Sequence, residues 1–400
     1  MKQLEFGNKN LRLRWAGVKE FFWEYLEERT KGVVRRLLEV GLRVELDYQL
    51  GVGRYKRQAR RRDYRNGYYV RSLVTSLGVI SSFLVPRSRK GVYRSQILER
   101  YKRRTSSFDR AVREMFVLGL STRRTEEFIK GFFGEGILSS QGVSLVFREV
   151  EEELKSFRER KLSDDYVYLF LDGFTVTIRQ AFKRPYTVLF ALGVTKDMRK
   201  EVIDFKVVSA EKDIHCQSFL QSLYNRGLEG KNLKLIICDG SPGLVEAVSW
   251  IYPRVKRQSC MVHKLRNLGK YIKHKKAHRK EIYRDASGVY KAESYMDAIE
   301  RIKRFVHKWQ PKEPKAVKNF ITNIDDTLRF FEFDKKLWGF LKSTNPLESY
   351  LSEIRSRVSL VDSFRDERSC ETLIFALIKR YNNQGKKVPL FTKNKFTQFT

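Results

Sequence analysis

Cysteine is scarce in this chain. Four occur in 400 residues (Cys216, Cys238, Cys260 and Cys370), at no regular spacing. Such a set makes no disulfide framework and suits a reducing compartment. Long apolar runs are missing too. None approaches the roughly 20 residues a membrane helix needs, and the opening MKQLEFGNKNLRLRW lacks the apolar centre of a signal peptide. No lipidation signal appears. These absences argue against a membrane or disulfide-stapled secreted protein and for a cytoplasmic one. Negative charge is in the minority: 47 Asp and Glu stand against 81 Lys and Arg, a net +34. An excess of that size costs stability by self-repulsion, so a polyanionic partner is expected, with nucleic acid ahead of a membrane surface. The apolar fraction of 42% is ordinary for a folded protein, and the length suffices for two or three domains.

Against that basic background two short apolar runs stand out, each ending on Asp-Gly. Tyr166–Leu171 leads to Asp172-Gly173 and resumes as Phe174–Ile178; Leu233–Cys238 leads to Asp239-Gly240. Their β-branched and aromatic content predicts buried strands. One Asp-Gly could be a hairpin turn. Two, at the ends of the two most apolar strands, point to a functional carboxylate pair. Hard Mg²⁺ takes carboxylate oxygens and substrate phosphate together, so an acidic cluster in a basic protein suits phosphoryl chemistry on a nucleic acid.

Taken in order, the first 60 residues have helical periodicity in Phe21, Phe22, Tyr25 and Leu26, and again in Val33, Val34, Leu37, Leu38 and Leu42. A basic block follows: Arg54, Lys56, Arg57, Arg60, Arg61, Arg62 and Arg65, interrupted by Asp63. It is a candidate nucleic-acid contact, the alternative being a solvated face. Asn66-Gly67 signals a turn, and Tyr68–Leu77 with Val79–Val85 predicts a hairpin meeting near Gly78 and closed by Pro86. Three helices are expected from Phe108 to Phe157, the second capped by Ser121 and the third by Ser139 or Ser140. They suit a helix-turn-helix reader or a plain bundle equally, with Arg123 and Arg124 as candidate phosphate contacts. Three strands, Tyr166–Ile178, Tyr186–Val194 and Glu201–Ser209, predict a meander with turns at Lys183-Arg184-Pro185 and Thr195–Lys200. A helix over Cys216–Arg226, the second Asp-bearing strand and a helix over Pro242–Trp250 complete an α+β layer. From Val262 to Leu341 the pattern is helical.

The last signal is SerThrAsnProLeuGlu at 343–348, where Asn345 suits an N-cap and Pro346 the first helical position. Glu348 then falls at N3, where a capping box accounts for it without any catalytic role. Glu353 is a rival acid, but Arg357 one turn on suggests a helix-surface pair. Cys260-x-x-His263 supplies two ligands where zinc needs about four. His215-Cys216 could complete such a set, but zinc is not expected. Arg266 and Asn267 lie one turn further and could orient a phosphate.

Together, YLFLDGFTV, LFALGVTKDMRKEVIDF, RGLEGKNLKLIICDGSPGLVEAV, QSCMVHKLRN and STNPLESYLSEIRSRV resemble, in order and spacing, the Mutator-type DDE transposases of bacterial insertion sequences. RNGYYVRSLVTSLG and ILERYKRRTSSFDRAVREMFVLGLSTRRTEEF are similar too, so the likeness runs from about Arg65 to Phe364. Where the family's glutamate is followed by Arg and, two residues on, Asn, this chain has Ser349 and Leu351. The resemblance implies an α+β, RNase H-like catalytic core: a three-strand antiparallel meander extended by parallel strands. It implies Asp172, Asp239 and Glu348 as the catalytic, metal-binding triad, with Cys260 and His263 as the family's signature beside them. The cofactor implied is Mg²⁺, with Mn²⁺ able to substitute. The partners implied are double-stranded DNA at terminal inverted repeats and at the target, and further copies of the chain. The expected activity is cleavage at element ends and transfer of the 3′-OH into target DNA, in a nucleoid-associated protein. A catalytically silent DNA-binding descendant, or a nuclease without strand transfer, are the alternatives.

The expected organisation is a helical basic region at 1–64, a hairpin and linker at 65–107 and a helical DNA-binding part at 108–160. The core's first part at 161–261 would be followed by an all-helical insertion at 262–342. The core's last helices at 343–380 and a basic tail at 381–400 would finish the chain.

Overall fold

The computed structural model describes residues 15–56, 63–117, 122–133, 135–179, 182–209, 213–361 and 363–383. The chain divides into two units, residues 1–116 with 120–146, and 117–119 with 147–400.

The first unit begins with one 36-residue helix, α1 (Trp15–Leu50). Its C-terminal half packs on a hairpin of β1 (Arg65–Thr75) and β2 (Gly78–Ser88), burying Leu42 against Leu73, Ile80, Phe83 and Val85. The sequence reading places an apolar face along the whole helix, yet Phe21, Phe22, Val33 and Leu37 are exposed, because the hairpin covers only the later turns. Asn66-Gly67 is no hairpin turn. Gly67 takes a positive φ of 70° inside β1, at a register shift between Arg65 and Tyr68. Pro86 does not close the hairpin either; it pairs with Tyr68 within β2. Asp63, the one acid in the basic block, is buried and accepts the backbone N–H groups of Tyr64, Lys90 and Val92. It anchors a loop. The helices α2 (Ser106–Val117) and α3 (Thr122–Phe133) meet through Phe108 and Phe133, whose rings lie 5.5 Å apart. The next helix, α4 (Ser140–Glu159), starts at Ser139, whose hydroxyl accepts the Gly142 N–H at 3.2 Å. The Ser121 cap lies outside the described residues.

The second unit is built on a five-stranded mixed sheet in the order β5-β4-β3-β6-β7. The strands β3 (Tyr166–Arg179), β4 (Lys183–Thr195) and β5 (Lys200–Val208) form the antiparallel meander. Lys183-Arg184-Pro185 belongs to β4 and not to the turn before it, pairing with Arg179, Ile178 and Thr177. After α5 (Asp213–Asn225), β6 (Leu235–Cys238) lies parallel to β3. The α6 helix (Pro242–Ile251) then leads to β7 (Lys256–Ser259), parallel to β6. The α5 and α6 helices cover one sheet face, where Leu169, Leu171, Ile236 and Cys238 meet Phe219, Leu220, Leu223, Leu244 and Val248.

β7 has no apolar pattern because it is an edge strand sealed by polar contacts. Gln258 is buried, donates to the Thr327 carbonyl at 2.7 Å and accepts the Phe330 N–H at 3.0 Å. Arg257 pairs with Asp326 at 2.5 Å. The segment from 261 to 341 contains no strand: α7 (Met261–Lys270), α8 (Lys275–Val289), α9 (Tyr295–Trp309), α10 (Pro314–Ile321), three 3-10 turns and the short α11 (Trp338–Leu341). The helical pattern expected from Val262 to Leu341 is interrupted when α10 ends at Ile321 and gives way to the 3-10 turns. The last helices are α12 (Asn345–Val358) and α13 (Glu367–Asn383). At the other sheet edge Asn382 accepts the Val202 N–H and donates to its carbonyl, closing β5 to further pairing. No described helix is long and apolar enough to cross a membrane.

Candidate active site

The parallel pairing of β3 with β6 ends at Leu171 opposite Cys238. The next residue on each strand is the aspartate, so Asp172 and Asp239 stand side by side where β6 stops and β3 runs on. Alternation decides which way Asp172 faces. Leu169 and Leu171 enter the core beneath α5 and α6. Tyr168 and Phe170 take the opposite face, meeting the Phe340 ring at 6.1 and 5.1 Å, and Asp172 follows them. It is therefore no turn residue: it pairs with Phe190 in mid-strand. Gly173 is glycine for a packing reason, since a Cβ there would lie 2.7 Å from the Val188 carbonyl oxygen.

Asp172 is buried, with one oxygen accepting the Gly173 N–H at 2.8 Å and the other buried without a hydrogen-bond partner. Burial raises its pKa above the usual carboxylate range. His263 and the Gly173 N–H oppose the shift, and the Asp239 carboxylate adds to it. Asp239 is half-buried and accepts the Ser241 N–H at 3.1 Å.

A second layer comes from α7 and α12. Cys260 is the N-cap residue of α7, tied to β6 by its N–H bond to the Cys238 carbonyl at 2.8 Å. Its sulfur accepts both the N–H and the hydroxyl of Thr344 at 3.4 Å. Thr344, not Asn345, is the N-cap of α12, and no side-chain capping bond is made there. The capping-box explanation of Glu348 therefore fails. Glu348 lies in the first turn, partly exposed, with its carboxylate 3.6 Å from the Arg266 guanidinium. His263 is partly buried, with Nδ1 buried and unpartnered. Burial opposes its charge, but Cys260 and the Asp172 and Asp239 carboxylates outweigh that and raise its pKa to about 9. Asn267 is half-buried on the same helix.

Asp172, Asp239, Cys260, His263 and Thr344 are thus linked through direct contacts or charge interactions, while Glu348 pairs with Arg266. Among the described residues the three acids do not bring all their ligand atoms within 4.8 Å of one another, and Glu348 is turned towards Arg266. Cys216 sits in the core beneath the sheet and completes no zinc set with Cys260 and His263 among the described residues. Glu353 is exposed on α12 and, among the described residues, forms no ion pair with Arg357 within 4.0 Å. The donors at Asp172 and Asp239 fit a hard divalent ion: they are carboxylate oxygens, and one is buried with nothing else to satisfy it.

Of the candidate DNA contacts, Arg57, Arg60, Arg61 and Arg62 lie outside the described residues. Arg54 is exposed over the Tyr55 ring at 4.9 Å, and Lys56 is exposed. Arg65 is committed locally, bonded to Asp47 and to the Val52 carbonyl at 2.5 Å each. Arg123 and Arg124 are exposed in the first turns of α3. Sequence reasoning missed a groove on the hairpin lined by Tyr69, Arg71, Arg87, Arg94, Arg100 and Arg103. Arg87 stacks on the Tyr69 ring at 4.6 Å. The available signal was the two-residue spacing of Tyr69 and Arg71, which puts them on one strand face.

A family model described as "Transposase, Mutator family" matches residues 17–387. The transposase for insertion sequence element ISRM5 of Rhizobium meliloti (strain 1021) is 31% identical over 346 residues, 86% of this chain and 85% of that one. The transposase for insertion sequence element IS905 of Lactococcus lactis subsp. lactis (strain IL1403) is 29% identical over 318 residues, 80% of each. The transposase for insertion sequence element IS256 in transposon Tn4001 of Staphylococcus aureus is 30% identical over 350 residues, 86% of this chain and 87% of its own. A solved structure, the Drosophila P element transposase strand transfer complex, overlaps 74% of this chain and 67% of its own at 13% identity. The TM-score of that overlap is 0.29.

Proposed function

From a chain that belongs to the Mutator family of transposases, we propose a DNA transposase with an RNase H-like core that cuts DNA at terminal inverted repeats and joins the 3′-OH to target DNA. The observation that carries the reading is the buried, unpartnered oxygen of Asp172 beside Asp239. A buried carboxylate oxygen with no donor is costly unless something else satisfies it, and a divalent cation does so.

Asp172 and Asp239 would hold Mg²⁺, with Mn²⁺ able to substitute, and Glu348 would complete the set on leaving Arg266. Bound Mg²⁺ ions would activate the attacking oxygen and stabilise the leaving one at phosphorus. Cys260 fastens the start of α12 through Thr344 and so sets where Glu348 begins its reach. His263 lies beside the two aspartates, and Arg266, freed from Glu348, would meet a DNA phosphate. The hairpin groove, with its arginines and Tyr69, supplies further phosphate and stacking contacts, as do Arg54, Arg123 and Arg124. Synapsis of two DNA ends calls for more than one copy of the chain.

The test is strand transfer with an end oligonucleotide and Mg²⁺. Asp172→Asn, Asp239→Asn and Glu348→Gln should each abolish cleavage and joining while leaving binding to end DNA intact. Full activity in either aspartate variant would overturn the assignment.

A further inference from the structure

A second cluster of ligand-type side chains lies in the helical segment, away from the carboxylates. Glu313 is the N-cap residue of α10 and is almost fully buried. One oxygen accepts the Lys273 N–H at 2.7 Å. The other accepts the His274 N–H at 2.9 Å and also faces two imidazole nitrogens, His274 Nδ1 at 3.1 Å and His278 Nδ1 at 2.9 Å. His274 immediately precedes α8, and the His278 N–H bonds the His274 carbonyl at 2.9 Å, so one helical turn sets both rings on the same side. Among the described residues this is the one trio of His, Cys, Asp or Glu whose ligand atoms all lie within 4.8 Å of one another.

We propose that His274, His278 and Glu313 form a binding site for a divalent transition ion of the zinc type. Two imidazoles and a carboxylate are a recognised zinc donor set, and three protein ligands leave one position for water. With bonds of about 2.0–2.1 Å, ligand atoms of a tetrahedral site stand about 3.3 Å apart. The two nitrogen–oxygen separations here are 2.9 and 3.1 Å, so those two edges need only a slight spreading to seat an ion, and the nitrogen–nitrogen edge lies within 4.8 Å. His274 is half-exposed, which provides an entry path, while Glu313 is sealed inside. The His278 ring is itself held edge-on against Trp309 at 5.4 Å. Without the ion, both rings must carry their proton on Nδ1 to bond the carboxylate. With it, that proton moves to Nε2. The bound ion would fasten the start of α8 to the start of α10. Mg²⁺ prefers oxygen donors and is a poor occupant of such a set.

The full chain, stripped with EDTA, is titrated with Zn²⁺ by calorimetry and with Co²⁺ by visible absorption. One equivalent is expected at micromolar affinity or tighter, undisturbed by millimolar Mg²⁺, with a rise in melting temperature of a few degrees and retained in Asp172→Asn. His274→Gln, at a half-exposed position, should keep the metal-free melting temperature and weaken Zn²⁺ binding by roughly 10- to 100-fold or more, the loss seen even for outer-shell partners. Nitrogen chemical shifts of the two rings should report the move of the proton from Nδ1 to Nε2. Absence of saturable Zn²⁺ binding, or binding unchanged in both His274→Gln and His278→Gln, would overturn the proposal and leave the trio a hydrogen-bond hub.

Discussion

Replacing Asp172 by Asn separates what the residue costs from what it does. In the metal-free protein one carboxylate oxygen is buried without a partner, and burial raises the pKa above its usual range. An unsatisfied buried polar group costs about 1–3 kcal/mol, more when charged. Asn keeps the shape and an acceptor for the Gly173 N–H, removes the charge and gains donors that the Asp239 carboxylate can accept. The substitution should therefore stabilise the metal-free second unit, by about 1–2 kcal/mol. For a unit of this size that is a rise of roughly 2–8 °C in melting temperature. Mg²⁺ should reverse the order, since it stabilises the wild type by mass action and the amide of the variant holds it poorly. The assay is thermal unfolding of both proteins in EDTA and in Mg²⁺, with DNA cleavage followed in parallel. A variant less stable than wild type in EDTA by about 1 kcal/mol or more, or one that gains as much from Mg²⁺ as wild type, would refute the reasoning.

Gly173→Ala places a methyl 2.7 Å from the Val188 carbonyl, so β3 and β4 must part locally; about 1–3 kcal/mol of stability should be lost by denaturant unfolding. Asp204→Ala leaves the Arg226 guanidinium buried without its carboxylate partner, although it still bonds the Phe157 and Arg158 carbonyls. A loss of about 3–5 kcal/mol is expected, and a double variant also lacking Arg226 should recover part of it. Burial pushes Asp63 up, but the Lys90, Tyr64 and Val92 N–H groups and the Ser88 hydroxyl overcome it and lower its pKa from 3.8 to about 2. Its contribution to the first unit is therefore fully present above pH 3.8 and lost as pH falls towards 2. Hydrogen exchange at residues 88–92 should rise across that window in wild type and be high throughout in Asp63→Asn.

Much of the second unit is legible in its residues, because periodicity reports burial directly. Tyr166–Leu171 and Leu235–Cys238 are central strands buried on both faces, so their apolar runs are unbroken. β7 escapes such a reading because its partners, Thr327, Phe330 and Asp326, lie some 70 residues on and satisfy it through polar side chains. The start of α12 is displaced by one residue for a comparable reason. Asn345 and Pro346 are good local signals, but the cap position goes to Thr344, held by Cys260 from a distant helix. Arg65 and Asp63 look like parts of one basic surface in sequence, yet folding gives both to local anchoring. The His274, His278 and Glu313 cluster is invisible in sequence because Glu313 is brought back to the start of α8 only by the packing of α10.

The central claim is that Asp172, Asp239 and Glu348 hold the catalytic ions, and crystals grown with Mn²⁺ and end DNA test it most directly. Anomalous scattering at the manganese edge should show one or two ions bound by Asp172 and Asp239, with Glu348 turned away from Arg266 to join them. Manganese bound elsewhere, with the Asp172 oxygen still unpartnered and Glu348 still on Arg266 in the DNA-bound state, would contradict it.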